Sequence, residues 1–112
     1  MGYIRHDAIV VTSWQTKDIE EAARVAQSFG LEVIGPSKPA VNWHQSILIC
    51  PDGSKEGWRH SDDFDGKRAG FIHWLRNPED GIWLEWCAVA FGNDDGGAEV
   101  TAHAWESNEV PQ

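Results

Sequence analysis

The order in which helix-like and strand-like segments follow one another constrains this chain most. Helical spacing of inward positions occurs in two stretches. Ile19, Ala22, Ala23, Ala26 and Phe29 form one stripe. Phe64, Phe71, Ile72 and Leu75 form the other, with Arg68 set among them. The spacing predicts helices over residues 17–29 and 62–76. Thr16 and Ser61 are placed to cap them, with Asp18, Glu20 and Glu21, and then Asp62, Asp63 and Asp65, in the first turns, where acids suit the helix dipole. Gly30 and Asn77-Pro78 are the stop signals. Residues 4–14, 31–35, 43–50, 82–91 and 98–105 have strand composition, with turns at 51–54 and 92–97. The order β-α-β-β-α-β-β predicts an α+β fold. Its mostly antiparallel five-stranded sheet carries both helices on one face, as a ferredoxin-like variant extended by a C-terminal hairpin strand. One domain is expected over residues 1–106, with 107–112 as a tail.

Two helices cover one face of such a sheet and leave the other bare. Yet the strands are not polar on either side. Ile9 and Val11 alternate with Ala8, Val10, Thr12 and Trp14, and Trp83, Cys87, Val89 and Phe91 alternate with Ile82, Leu84, Trp86, Ala88 and Ala90. Strict alternation in the last strand sets Ala98, Val100, Ala102 and Ala104 against Glu99, Thr101, His103 and Trp105. An uncovered apolar face predicts a homodimer or higher homo-oligomer, or a ligand groove, with some of the seven tryptophans lining it.

Charge narrows the partners. The formal net charge is −9, and residues 51–112 hold −8 of it. No Lys or Arg follows Arg76. Such a surface repels nucleic acid and attracts basic proteins. The acids of the last hairpin, Asp94, Asp95, Glu99 and Glu106, are the candidate surface for a protein partner. No apolar run approaches the roughly 18 residues of a membrane span, so no membrane partner is expected. Residues 1–14 do not read as a signal peptide, which points to the cytoplasm. Cys50 and Cys87 sit in apolar strands and read as free thiols.

Specific catalytic motifs are missing: there is no G-x-S-x-G elbow, Walker loop or G-x-G-x-x-G. The nearest two histidines, His60 and His73, are 13 residues apart, so no short element presents a ligand pair, and neither a metal nor another cofactor is expected. The most informative stretch is Lys55-Glu56-Gly57-Trp58-Arg59-His60-Ser61. It combines a stacking face, cationic donors and a helix start, whose free N–H groups favour anions. Arg5 and His6 open the first strand. A nucleotide-like small molecule needs such groups, which makes Arg5, His6, Trp58, Arg59 and His60 the candidate ligand residues. A structural loop with local ion pairs is the competing reading.

Three segments carry a resemblance. They are Y-I-R-H-D-A-I-V-V-T-S-W (3–14), P-D-G-S-K-E-G-W (51–58) and S-D-D-F-D-G-K-R-A-G-F-I-H-W-L (61–75). Together they resemble small uncharacterised proteins of bacteriophage and prophage genomes, over most of the chain from Tyr3 to about Phe91. The resemblance implies a small accessory protein made inside an infected bacterium. Proteins in that setting counter host defence by binding, either sequestering a nucleotide signal or capping a host defence protein. A small hydrolase or nuclease-like enzyme, built from His and Asp residues that folding brings together, is the alternative.

Overall fold

Strand β1 (Arg5–Ser13) is the most continuously β-branched segment, and it takes the centre of the sheet. The computed structural model describes residues 4–55, 57–92 and 96–104. Along the chain β1 is followed by α1 (Thr16–Ser28), β2 (Val33–Ile34), a 3-10 turn (Val41–Trp43) and β3 (Gln45–Ile49). Then come α2 (Arg59–Arg76), β4 (Glu85–Gly92) and β5 (Ala98–His103). The strand order is β2-β3-β1-β4-β5, and every neighbouring pair is antiparallel. This is the expected α+β architecture, with the split β-α-β order of a ferredoxin-like variant and one strand added beyond β4.

Register explains the core. Ile9 lies opposite Ile49 on one side and Ala88 on the other, and Val11 lies opposite Ile47 and Trp86. Cross-strand partners share a face. These residues therefore form one buried surface, joined by Ile19, Ala22 and Ala26 of α1 and by Phe71 and Leu75 of α2. The two helices meet at Gly70, where an added Cβ would stand 2.7 Å from Cε1 of Phe29. At the end of α1, Gly30 (φ +86°) and Leu31 return their N–H groups to the carbonyls of Gln27 and Ala26, at 2.9 and 3.2 Å. That Schellman closure needs a left-handed residue and buries Leu31 against the helix.

Several boundaries differ from the periodicity. Helix α1 begins at Thr16, and the residue before it, Gln15, makes no side-chain cap. The Thr16 hydroxyl donates to Oε1 of Gln45 at 2.8 Å, so tertiary contact replaces capping. Helix α2 begins at Arg59, because the N–H of Asp62 bonds the Trp58 carbonyl at 3.1 Å. Ser61 is buried inside that first turn and does not cap it. Strand β4 starts at Glu85, because the backbone of Trp83 is held by side chains instead of a ladder. Asp18 Oδ2 accepts its N–H at 3.0 Å, and the Ser13 hydroxyl donates to its carbonyl at 2.8 Å. Residues 41–43 turn, with Asn42 at φ 57° and Trp43 at φ 64°, which shortens β3.

The face away from the helices is apolar, as the alternation requires. Val10, Phe91 and Val100 are exposed on it, and Leu48 and Val89 are half-buried. A bulge between Ala88 and Val89 changes the expected membership in β5. Val100 pairs with Val89 and faces outward, whereas Ala102 pairs with Ala88 and joins the core. Strict alternation had put both on one side; the extra residue of a bulge reverses it. Among the described paired positions, the open face carries no tryptophan. Trp86 is buried under the helices, and Trp14, Trp43 and Trp83 are exposed at strand ends.

Phe71 is fully buried where both helices meet the sheet. Phe71→Ala is expected to cost about 3–5 kcal/mol in urea unfolding, through lost transfer energy and the cavity left behind. A loss under about 1 kcal/mol would mean that α2 does not pack as described.

Candidate functional site

Arg68 occupies an inward position of α2, one turn before Phe71. A guanidinium cannot be buried without partners. Its partners come from three segments. Nη1 lies 3.0 Å from Oδ1 of Asp52, in the turn after β3. Nη2 lies 2.6 Å from Oδ1 of Asp65, one turn earlier in α2, and 3.7 Å from Oδ2 of Asp7 in β1. Asp7 faces the helices because it shares strand parity with Ile9 and Val11. The second oxygen of Asp52 accepts the Ser54 hydroxyl and lies 3.9 Å from Nε2 of His60. Arg5 joins at the other end, its Nε 3.4 Å from Oδ1 of Asp7. An isolated bridge between Ile4 and Lys55 draws the start of β1 against the same turn.

Burial opposes ionisation of Asp52, but the hydrogen bonds from Ser54 and Arg68 and the charge of Arg68 outweigh it. Its carboxyl is held below the ordinary carboxylate range. Asp52 is therefore a carboxylate at neutral pH, and it shares the buried Arg68 guanidinium with the side chains of Asp7 and Asp65.

Four of the five expected ligand residues gather at this corner. Trp58 is exposed and directly precedes α2, with Lys55 Nζ 5.6 Å from its ring centre. Arg59 and His60 are exposed in the first turn, and the His60 ring rests on Phe64 at 4.7 Å. Arg5 connects to His60 through the chain Asp7, Arg68, Asp52. His6 stands apart: it pairs with Phe91 on the open face, their rings 5.2 Å apart, with the sheet between it and the rest. Of the acidic surface, Glu99 is exposed opposite Ala90, while Asp94, Asp95 and Glu106 lie outside the described residues, as does the 107–112 tail.

Two clefts flank the network. One of about 320 Å³ is lined by Glu32, Cys50, Asp52, His60 and Phe64, together with residues 30, 31 and 51. The other, about 160 Å³, lies between α2 and the sheet beside Asp7, Asp65, Arg68 and Ile72. Among the described residues, no three His, Cys, Asp or Glu side chains gather as a metal site. Cys50 and Cys87 are both unpaired thiols. The helical spacing sets Arg68 inward and leaves the partners of its charge unnamed. The signal was there: a basic residue on a core stripe demands carboxylates from neighbouring elements. No family model, curated protein or solved structure matches the chain.

Removing Arg68 should strand a buried carboxylate. Arg68→Met is expected to lose about 3–5 kcal/mol, and adding Asp52→Asn should recover part of that loss. The depressed carboxyl of Asp52 contributes stability above its unfolded value of about 3.8, and that contribution drains away as pH falls further. Urea midpoints measured from pH 6 to pH 2.5 should fall less steeply in Asp52→Asn than in the parent. Equal slopes would show that Asp52 is not held ionised by this network.

Proposed function

We propose that this is a non-enzymatic, phage-type accessory protein that counters host defence by stoichiometric capture inside an infected bacterium. The favoured ligand is a nucleotide-like signal bound at the start of α2. One observation carries this reading. Exposed Trp58 stands at the N-terminus of an 18-residue helix that lacks a side-chain cap, and exposed Arg59 and His60 follow it directly. A base stacks on the indole, while the first-turn N–H groups and the two basic side chains receive phosphate. The Arg68 network supports the corner from behind, so it is preformed and loses little entropy on binding. The competing mode, inhibition of a basic host protein, uses the acidic hairpin, of which Glu99 is exposed.

Self-association is a second reading, favoured by the charge of the open face. Among its described paired positions, Glu85 is the one formal charge, in a chain of net charge −9. A second copy, equally acidic, meets least repulsion there. At strand spacings of about 4.8 Å and rises of about 3.3 Å, the face offers about 500 Å² per copy. Two copies together bury about 1,000 Å², the lower bound of a specific interface.

Two experiments test these readings. In calorimetric titrations with cyclic nucleotides, Trp58→Ala and Arg59→Ala should each weaken binding by about 1–3 kcal/mol. Charge reversal at Glu99 should leave that binding intact. If both single variants bind as well as the parent, the nucleotide reading fails. In light scattering, the parent should exceed the 12.5 kDa of one chain at least twofold, and Val89→Lys with Val100→Lys should return it to one chain. A parent that stays at one chain removes the second reading.

A further inference from the structure

We propose that the free edge of β5 takes up an extended, basic segment of a partner protein as a further strand of the sheet. This deepens the competing mode of capture, on which it rests, by naming how a basic protein is held. It uses neither Trp58 nor Arg59.

The two edges of the sheet are built differently. On one side β2 is two residues long, and Gly35-Pro36 and Pro39 follow it. Short length and proline keep an edge from pairing with another chain. On the other side β5 is six residues long, Ala98–His103, and holds neither proline nor lysine. Residues 98–101 and His103 are exposed. Among the described residues, no strand pairs with the outer side of β5. An edge strand points about half of its backbone N–H and C=O groups outward, and an added strand satisfies them in a row.

The ladder to β4 sets what the added strand carries. Ala98 lies opposite Phe91, Glu99 opposite Ala90 and Val100 opposite Val89. Val100 and Phe91 belong to the open apolar face. Glu99 shares the helix side with the buried Ala90 and is itself exposed. Thr101 is the extra residue of the bulge, and its hydroxyl donates to the Ala88 carbonyl at 3.3 Å. The regular run offered to a newcomer is therefore residues 98–100. A strand laid beside it continues both faces, with apolar side chains next to Ala98 and Val100 and a side chain of opposite charge next to Glu99.

Charge selects the partner. Among the described residues, no Lys, Arg or His pairs with Glu99. No Lys or Arg follows Arg76 in the sequence, so neither β4 nor β5 carries one. A second copy, also of net charge −9, would set an equally acidic edge against this one. A segment in which Lys or Arg alternates with apolar residues meets attraction instead, and that attraction also speeds encounter.

The test uses the isotope-labelled full chain and a short, end-blocked peptide that alternates Lys with Val. Three comparison peptides carry Glu in place of Lys, the same residues sorted into a Lys block and a Val block, or N-methyl groups on the central amides. Binding is followed by NMR titration, and pairing by slowed exchange of the β5 amide hydrogens. The Lys-Val peptide should bind and slow exchange within residues 98–103, and the Glu and block peptides should bind more weakly. The N-methylated peptide should bind at least about tenfold more weakly, the loss expected for about two backbone hydrogen bonds. Glu99→Lys should weaken the Lys-Val peptide about fivefold, the scale of one cross-strand charge pair. The N-methyl comparison needs no variant, so it stands whatever that substitution does to the fold. Equal affinity of the N-methylated peptide overturns strand addition and leaves capture of basic proteins by the acidic surface standing. No binding of any basic peptide overturns both. If every amide from 98 to 103 already exchanges slowly without peptide, the edge is occupied by a second copy or by the chain itself, and the proposal fails.

Discussion

The burial of one guanidinium organises the corner of this protein that holds the candidate site. Arg68 is nearly inaccessible, and Asp7, Asp52 and Asp65 surround its guanidinium. Each partner belongs to a different stretch of chain: the central strand, the turn after β3 and α2 itself. Satisfying one cation therefore fixes how the second helix sits on the sheet. It also fixes where that helix begins, and so where Trp58, Arg59 and His60 are displayed. A buried ion pair of this kind contributes little net stability over an apolar core of equal shape. Its consequence here is positional, since a shift of α2 along the sheet would carry Arg68, with Asp65, away from Asp7 and Asp52.

A second constraint is the inequality of the two sheet faces. Both helices lie on one face, with Ile9, Val11, Ile47 and Ile49 buried beneath them. The other face keeps Val10, Phe91 and Val100 in contact with solvent and carries almost no charge. Elsewhere the chain is strongly acidic. Charged and apolar surface are thus separated by the plane of the sheet, with the Arg68 corner on the helix side. The proposed capture of a small anion and the proposed association of copies would use opposite sides and not compete for space.

Much of the fold was legible in the residues. The stripe at Ile19, Ala22 and Ala26, the stop at Gly30 and the strand alternation around Ile9 and Val11 each report a repeat of the local backbone. Boundaries were less so. Thr16 and Ser61 look like caps, yet a hydroxyl that finds a tertiary partner or a buried niche does not cap. Strand β4 starts late because Asp18 and Ser13, some 65 and 70 residues away, take the backbone groups of Trp83. The bulge opposite Ala88 and Val89 leaves no mark in an alternating run of alanine and β-branched residues.

At the site, composition pointed to Trp58, Arg59 and His60, because stacking and basic groups stand out in an acidic chain. It could not separate His6 from Arg5, since adjacent strand residues face opposite sides and parity acquires meaning only once one face is covered. Nor could it join Asp7, Asp52 and Arg68. The order of elements, the helix faces and the charge asymmetry were determined by the sequence alone, because each depends on residues close together along the chain. The shared burial of one cation among three segments was decided only by the tertiary structure. Desolvation acts on neighbours in space, and those neighbours exist only after the sheet and helices have packed.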